Sequence, residues 1–247
     1  MANSTEPFPD GEEEADPLAL DPGFAERFER DPRRPACQLY LISPSTIDAG
    51  FAERLAAVLA TGLVSAFQLR VKDLPDDEII ALGAPLRAIC AAHDTAFIVN
   101  DSIAIAQALG ADGVHLGQED GDPREARRIL GPEAQIGVTC HDSRHLAMEA
   151  GEAGADYVAF GAFFPSTTKT ATKYHPTPEV LRDWSDMTVV PCCAIGGITQ
   201  DNCGPLVEAG ADFLAVIGAI WNYPKGPKAA VAEFNATFAK YGRAFGG

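Results

Sequence analysis

Three stretches of the chain repeat one pattern and decide its fold: LGADGVHLG at 109–117, AGADYVAFGA at 153–162 and AGADFLAVIGA at 209–219. Each stretch places a glycine where a helix would end, then an aspartate, then an apolar run typical of a buried β-strand. The repeat indicates that the same helix-to-strand corner occurs three times in one domain.

From Cys37 onward, short β-rich apolar runs alternate with amphipathic stretches such as FAERLAAVLATG at 51–62 and DEIIALGAPLRAICAAH at 77–93. This alternation is typical of βα units around a parallel sheet. Eight strands are predicted, at residues 37–43, 66–70, 96–100, 113–117, 135–140, 157–163, 189–196 and 213–220. We therefore predict an α/β fold of the (βα)₈ TIM-barrel type, in a single domain at 36–247. A doubly wound open sheet is the alternative, although no Gly-x-Gly-x-x-Gly follows the first strand.

The composition limits the classes of partner. Of 247 residues, 47% are hydrophobic and 22% charged, and the formal net charge is −16. Because nucleic acids and anionic membranes attract clustered Lys and Arg, this balance argues against both as partners. We expect small-molecule partners, with any anionic ligand held in a local cationic pocket.

The cysteines and the N-terminus indicate a cytoplasmic protein. Six cysteines are scattered through apolar segments without a Cys-x-x-Cys pair, which favours reduced thiols. The N-terminus is acidic, unlike a secretory signal, and no apolar run is long enough to span a bilayer. Residues 1–35 are rich in Glu, Asp and Pro, and we predict a disordered extension there. Phe24 and Phe28 leave open a short helix that docks on the barrel.

Polar residues follow several predicted strands, where the loops of a barrel converge on one mouth. Alternation along the second strand puts Gln68, Arg70 and Lys72 on one side, which predicts an anion clamp. The alternative is a buried Arg70 paired with a barrel carboxylate.

Two carboxylates follow the third and fourth strands, at Asp101 and Asp120. Adjacent strand ends would bring them to one Mg²⁺ ion, beside the cations that hold a diphosphate. The alternative is that Asp101 caps the helix beginning SIAIAQALG and that Asp120 is solvated.

Hydroxyls and glycines follow the last three strands. Ser166, Thr167, Thr168 and Lys169 come after the sixth strand, Gly196 and Gly197 after the seventh, and Ile217 and Gly218 in the eighth. Loops at these places in barrels often bind phosphate through backbone N–H groups, so a second, monophosphate-sized site is predicted.

In combination, these motifs resemble the thiamine phosphate synthase family over about residues 37–240. They are QLRVK, ND, HLGQED, GVTCH, PSTTK, IGGI and AVIGAI, in that order. The resemblance implies Mg²⁺-dependent transfer of a pyrimidine methylene group to a thiazole phosphate, with loss of diphosphate.

The resemblance also implies a role for each matching residue. It assigns the pyrimidine diphosphate to Gln68, Arg70, Lys72, Asn100, Thr139 and Lys169, the metal to Asp101 and Asp120, and the thiazole phosphate to Ser166, Thr168, Gly197, Ile217 and Gly218. Arg70, Lys72 and Lys169 are the expected catalytic cations. Thr139 stands where the family has Ser, and Gly218 replaces a usual Ser, so the thiazole phosphate site lacks one side-chain donor.

Two other functions remain open. A related thiazole tautomerase transfers a proton without diphosphate chemistry, and His141 is a candidate base for that reaction. The barrel could also bind a phosphate ligand without catalysis. His115, between two apolar neighbours, is expected to be a core histidine with satisfied hydrogen bonds.

Overall fold

A computed structural model describes residues 36–165 and 174–242, and these residues form a closed barrel of eight parallel strands. The strands are β1 (Gln38–Ile42), β2 (Val64–Leu69), β3 (Ala96–Asn100), β4 (Gly113–Leu116), β5 (Gln135–His141), β6 (Tyr157–Gly161), β7 (Cys192–Ile195) and β8 (Phe213–Val216). Each strand pairs with the next along the chain, and β1 pairs with β8. The predicted barrel is confirmed, and the open-sheet alternative is excluded by the pairing of β1 with β8.

Helices surround the barrel. They are α1 (Phe51–Leu59), α2 (Asp76–Ala92), α3 (Ile103–Leu109), α4 (Pro123–Leu130), α5 (Arg144–Glu152), α6 (Pro178–Met187), α7 (Gly204–Glu208), α8 (Gly218–Trp221) and α9 (Pro227–Tyr241). No helix in the described part of the chain is long and apolar enough to cross a membrane. The predicted extension at 1–35, including Phe24 and Phe28, lies outside the described residues.

Two strand ends differ from prediction by three residues or more, and the other strand ends by two residues or fewer. The eighth strand was predicted to run to residue 220, but β8 ends at Val216 and Gly218–Trp221 form a helical turn instead. The seventh begins at Cys192 rather than at residue 189. Both errors extend a strand into a neighbouring apolar loop, because hydrophobicity alone does not mark where hydrogen-bonded pairing stops.

Side chains alternate between two cores. Outward residues of the strands pack against the helices in one large cluster. Inward residues fill the barrel in a second cluster, which contains Tyr40, Ile42, Ala66, Ile98, Tyr157, Ala159, Cys193 and Ala215. The interior is therefore a packed core and not an open pore.

The repeated Gly-Ala-Asp pattern lies at the amino ends of the strands, opposite the mouth of the barrel. Each aspartate precedes an even-numbered strand, and its carboxylate accepts a hydrogen bond from a backbone N–H of the strand before it. Its own N–H donates to the carbonyl of the same residue. The three pairs are Asp112 with Phe97, Asp156 with Ile136 and Asp212 with Cys192, at carboxylate distances of 2.7, 2.6 and 2.8 Å. The repeat thus fixes how β4, β6 and β8 start beside their neighbours.

We predict that Asp212→Ala lowers the free energy of unfolding by about 1–3 kcal/mol, since it leaves a buried N–H without its acceptor. Asp212 is buried whereas Asp112 is exposed, so Asp112→Ala should cost less because water can replace the lost acceptor. Urea denaturation measures both. Asp212→Asn, which keeps an acceptor oxygen, is the matched control, and equal losses in the two alanine variants would contradict this account.

Candidate active site

Apart from Lys169, which lies outside the described residues, the polar residues predicted for the pyrimidine diphosphate and the metal lie along one arc of the barrel mouth. They belong to β2, β3, β4 and β5 or to the loops after them, and these strands pair side by side in that order. Gln68 is buried inside the barrel, Arg70 is half-buried and Lys72 is exposed. The arc therefore leads from an apolar interior to a cationic rim.

Arg70 is held by its backbone and not by an ion pair. Its N–H donates to the hydroxyl of buried Ser43 at 2.8 Å. Among the described residues, no carboxylate oxygen lies within 4.0 Å of its guanidinium. The alternative of a buried Arg70 paired with a barrel carboxylate is therefore wrong for the described part of the barrel.

Asp101 and Asp120 meet at the ends of β3 and β4. Their carboxyl groups lie close enough for Asp120 to act on the pKa of Asp101, both by its charge and as a hydrogen-bond partner. The N–H of Asp101 donates to the His115 carbonyl at 2.8 Å, and Asp101 adopts a left-handed backbone with φ of 66°. Asp120 Oδ2 accepts from the N–H of Gly117 at 2.9 Å. The backbone thus holds both carboxylates, with Asp101 in a conformation that Asp and Asn tolerate best.

The contact between the two carboxyl groups changes how Asp101 titrates. Burial raises the pKa of Asp101 above its ordinary value, and the neighbouring Asp120 raises it further, while the charges of Lys72 and Arg70 oppose the rise. Because the pKa is raised in the folded state, Asp101 favours folding when protonated. That contribution is lost as pH rises through the raised pKa. At neutral pH the ionised pair therefore costs stability, and a bound cation would remove this cost.

The donor set fits Mg²⁺. This ion prefers oxygen ligands and commonly takes one or two carboxylates, with water and substrate phosphate filling the other positions. The described residues contain no group of three His, Cys, Asp or Glu side chains that could hold a metal by themselves. Two carboxylates therefore suit a Mg²⁺ ion only if water or a substrate supplies its other ligands.

The alternative role of Asp101 as a helix cap is wrong. The N-cap of α3 is Ser102, whose hydroxyl accepts from the N–H of Ile105 at 3.2 Å. The carboxylate of Asp101 faces Asp120 instead. Ser102 thus supplies the helix cap that the alternative assigned to Asp101.

Thr139 on β5 lies beside His115 on β4. Its hydroxyl is 2.8 Å from His115 Nε2, and its carbonyl accepts from Gln118 Nε2 at 2.6 Å. His115 Nδ1 is 3.0 Å from the hydroxyl of Tyr157. Burial lowers the pKa of His115 to about 4, although the charge of Asp120 acts in the opposite direction. The expected core histidine is thus neutral at pH 7, and both of its ring nitrogens have partners.

Tyr157 and Tyr40 are the interior polar residues that sequence reasoning missed. Their hydroxyls lie 3.0 Å apart in the barrel core. The signal was present, since both rings occupy inward positions of their strands, as Gln68 does. A tyrosine hydroxyl turned into an apolar barrel requires a partner, and that requirement predicts such a contact.

The glycines predicted for the second phosphate follow β7 and β8. Gly197 has φ of 62°, and a Cβ atom there would lie 2.4 Å from the Pro165 carbonyl oxygen, so only glycine fits. Gly218 begins α8, and among the described residues a Cβ there would meet only Asn222 Nδ2, at 3.5 Å. Ile217 is the N-cap residue of the same turn. Ser166, Thr168 and Lys169 lie outside the described residues.

His141, the candidate base of the rival function, ends β5. Its ring stacks on Tyr174, with centroids 4.2 Å apart and planes at 16°. Its backbone φ of 56° is left-handed, where β5 leaves the regular register with β6. The stacking gives His141 a packing role at the rim.

Comparisons with known proteins identify the family of this chain. A family model described as thiamine monophosphate synthase matches residues 39–220. A thiamine-phosphate synthase of Erythrobacter litoralis is 63% identical over 200 residues, covering 80% of this chain and 93% of that protein. One from Rhodospirillum centenum is 58% identical, covering 81% and 96%.

Solved structures of other proteins share the fold of this chain. The thiamine phosphate pyrophosphorylase of Pyrococcus furiosus superposes with a TM-score of 0.70 at 30% identity, covering 83% of this chain and 96% of that one. A 3-hexulose-6-phosphate synthase, at 21% identity and a TM-score of 0.61, shares the fold. The resemblance drawn from the sequence motifs is confirmed. The chain belongs to the thiamine monophosphate synthase family.

Proposed function

We propose that this transferase condenses 4-amino-2-methyl-5-hydroxymethylpyrimidine diphosphate with thiazole phosphate or its carboxylated form, giving thiamine phosphate and diphosphate with the help of Mg²⁺. The observation that carries the proposal is the closeness of Asp101 and Asp120, beside an Arg70 that has no ion-pair partner among the described residues. Two carboxylates in contact repel an anion unless a cation lies between them. A site that holds cations and such a pair together suits a metal-bound diphosphate.

Each group has a separate task in binding. Gln68, Arg70, Lys72, Asn100 and Thr139 would hold the pyrimidine diphosphate, with its ring toward the barrel interior and its phosphates toward the rim. Asp101 and Asp120 would hold the metal. Mg²⁺, when bound, would neutralise charge on the diphosphate oxygens. Gly197, Ile217 and Gly218, with Ser166 and Thr168, would hold the thiazole phosphate.

The reaction then needs no protein nucleophile. The bond between the methylene carbon and the diphosphate oxygen breaks, and its electron pair leaves with the diphosphate. Arg70, Lys72 and Lys169 would stabilise that leaving charge. The aminopyrimidine ring delocalises the methylene cation until the lone pair of the thiazole nitrogen forms the new C–N bond. Catalysis is therefore positioning and charge stabilisation.

The two rival functions fit less well. Proton transfer by a tautomerase requires a base and has no use for two facing carboxylates beside Arg70. A barrel that only binds a phosphate ligand would be weakened by the same carboxylates, because they repel the anion. Metal-assisted diphosphate chemistry uses every charged group on the arc.

The remaining expectations concern the whole chain. We propose that residues 36–247 form the catalytic barrel and 1–35 an extension to it. We also propose a cytoplasmic location, which is supported by six cysteines that are all free thiols in the structure.

We predict that purified protein forms thiamine phosphate from the two substrates with Mg²⁺, and that a chelator abolishes product. Asp101→Asn, which suits the left-handed backbone, should lower kcat by at least about a hundredfold, since metal stabilisation of transition-state charge is worth several kcal/mol. Steady-state assays measure both effects.

The matched control is Glu133→Gln, which removes an exposed carboxylate in the loop before β5, at the opposite end of the barrel. Its kcat should equal that of the wild type. Full activity in Asp101→Asn would refute the metal role, and absence of product from folded wild-type protein would refute the proposed reaction.

We also predict that Gly218→Ser lowers the KM for thiazole phosphate by roughly twofold to tenfold, the size of one recovered hydrogen bond. The structure has room for this side chain, because its Cβ would make an ordinary contact with Asn222. Gly218→Ala separates the hydroxyl from the methyl group. An unchanged KM in Gly218→Ser would show that the missing donor does not limit binding.

A further inference from the structure

Four polar side chains form a hydrogen-bond chain through the barrel interior, below the mouth. Thr139 Oγ1 lies 2.8 Å from His115 Nε2, His115 Nδ1 lies 3.0 Å from the Tyr157 hydroxyl, and that hydroxyl lies 3.0 Å from the hydroxyl of Tyr40. His115, Tyr157 and Tyr40 are each less than 9% exposed. This interior hydrogen-bond chain links four strands and ends at Thr139, which is half-buried near the mouth.

A glycine on β5 leaves room for the interior hydrogen-bond chain. Gly137 lies two residues before Thr139 on β5, and a Cβ atom there would be 2.0 Å from Cζ of Tyr157. The Tyr157 ring therefore occupies the place where a side chain of β5 would otherwise stand. Its centroid is 5.6 Å from that of His115 and 6.0 Å from that of Tyr40. Packing thus fixes the ring of Tyr157, whose hydroxyl lies in the middle of the hydrogen-bond chain.

The positions of the protons follow from counting donors. If His115 carries a proton on Nε2, it donates to Thr139, Tyr157 donates to Nδ1, and the Tyr40 hydroxyl donates to Tyr157. Every buried N–H and O–H then has an acceptor. If the neutral ring carries its proton on Nδ1 instead, all three bonds reverse, and the Tyr40 hydroxyl must find an acceptor elsewhere. Among the described residues, Tyr157 is its one hydrogen-bond partner.

A buried donor left without an acceptor loses its hydrogen bonds to water and gains none in return, so the first arrangement is favoured. It does not depend on the ring being neutral, because a ring protonated on both nitrogens would also donate from Nε2 to Thr139. In either state the Thr139 oxygen accepts from His115. Its own O–H then has no other partner among the described residues and is free to face the mouth.

We infer that His115, Tyr157 and Tyr40 are positioning residues that fix the Thr139 hydroxyl as a hydrogen-bond donor toward the pyrimidine substrate. This inference rests on the proposed contact between Thr139 and that substrate. The matching group on the substrate is an acceptor, a ring nitrogen of the aminopyrimidine and not its amino group. Binding of the pyrimidine therefore depends on two tyrosines that lie inside the barrel core.

The first test reads the proton position directly. In protein labelled with ¹⁵N-histidine, the ring nitrogens of His115 are assigned by their loss in His115→Gln and by the response to Tyr157→Phe. We expect Nε2 to carry a proton in the wild type. A ring protonated at Nδ1 alone overturns the inference, whatever the enzyme assay shows.

The second test uses kinetics. Tyr157→Phe keeps the ring and removes the hydroxyl that sets the His115 proton, so the KM for the pyrimidine diphosphate should rise roughly threefold to tenfold. The KM for thiazole phosphate should stay constant, which a general loss of structure would not allow. Thr139→Ser should keep the wild-type KM for the pyrimidine, and Thr139→Val should raise it.

Tyr241→Phe, at the exposed end of α9, is the matched control and should leave both constants unchanged. An unchanged pyrimidine KM in Tyr157→Phe contradicts the positioning role. If the wild type makes no thiamine phosphate, the proposed reaction fails, while the NMR result still decides the proton positions in the chain.

Discussion

The site depends on one unfavourable contact, the meeting of the Asp101 and Asp120 carboxyl groups at the barrel mouth. Burial and mutual repulsion raise the pKa of Asp101, and Arg70 and Lys72 offset this only in part. The backbone nevertheless holds both groups, through the left-handed turn at Asp101 and the N–H of Gly117. Such a contact is stable when a cation joins it, and in the proposed function a metal-bound diphosphate would supply that cation.

The barrel separates stability from chemistry. At the amino ends of the strands, the three aspartates of the repeated pattern bind backbone N–H groups and fix how neighbouring strands begin. At the carboxyl ends, the carboxylates face each other and the cations lack ion-pair partners among the described residues. The same residue type thus binds backbone N–H groups at one end and, in the proposed function, would hold the metal at the other.

Much of this was predictable from sequence. Alternating strand and helix patterns identified the barrel, and side-chain alternation placed Gln68 inside it with Arg70 on the same side. Hydrophobicity could not show that β8 stops at Val216, where a helical turn begins. Nor could it show the contact of Tyr40 with Tyr157, which are 117 residues apart and meet only because the barrel closes. The roles of Ser166, Thr168 and Lys169 remain predictions, because residues 166–173 lie outside the described part of the chain.

The most direct test of the central claim is thermal denaturation at neutral pH of wild type and Asp101→Asn, with and without Mg²⁺ and inorganic diphosphate. Without ligands, the variant should melt at the higher temperature, because it removes a carboxylate whose ionisation opposes folding. With both ligands, the wild-type melting temperature should rise and that of the variant should change little. An equal rise in both proteins, or none in the wild type, would contradict a metal-diphosphate site at Asp101 and Asp120.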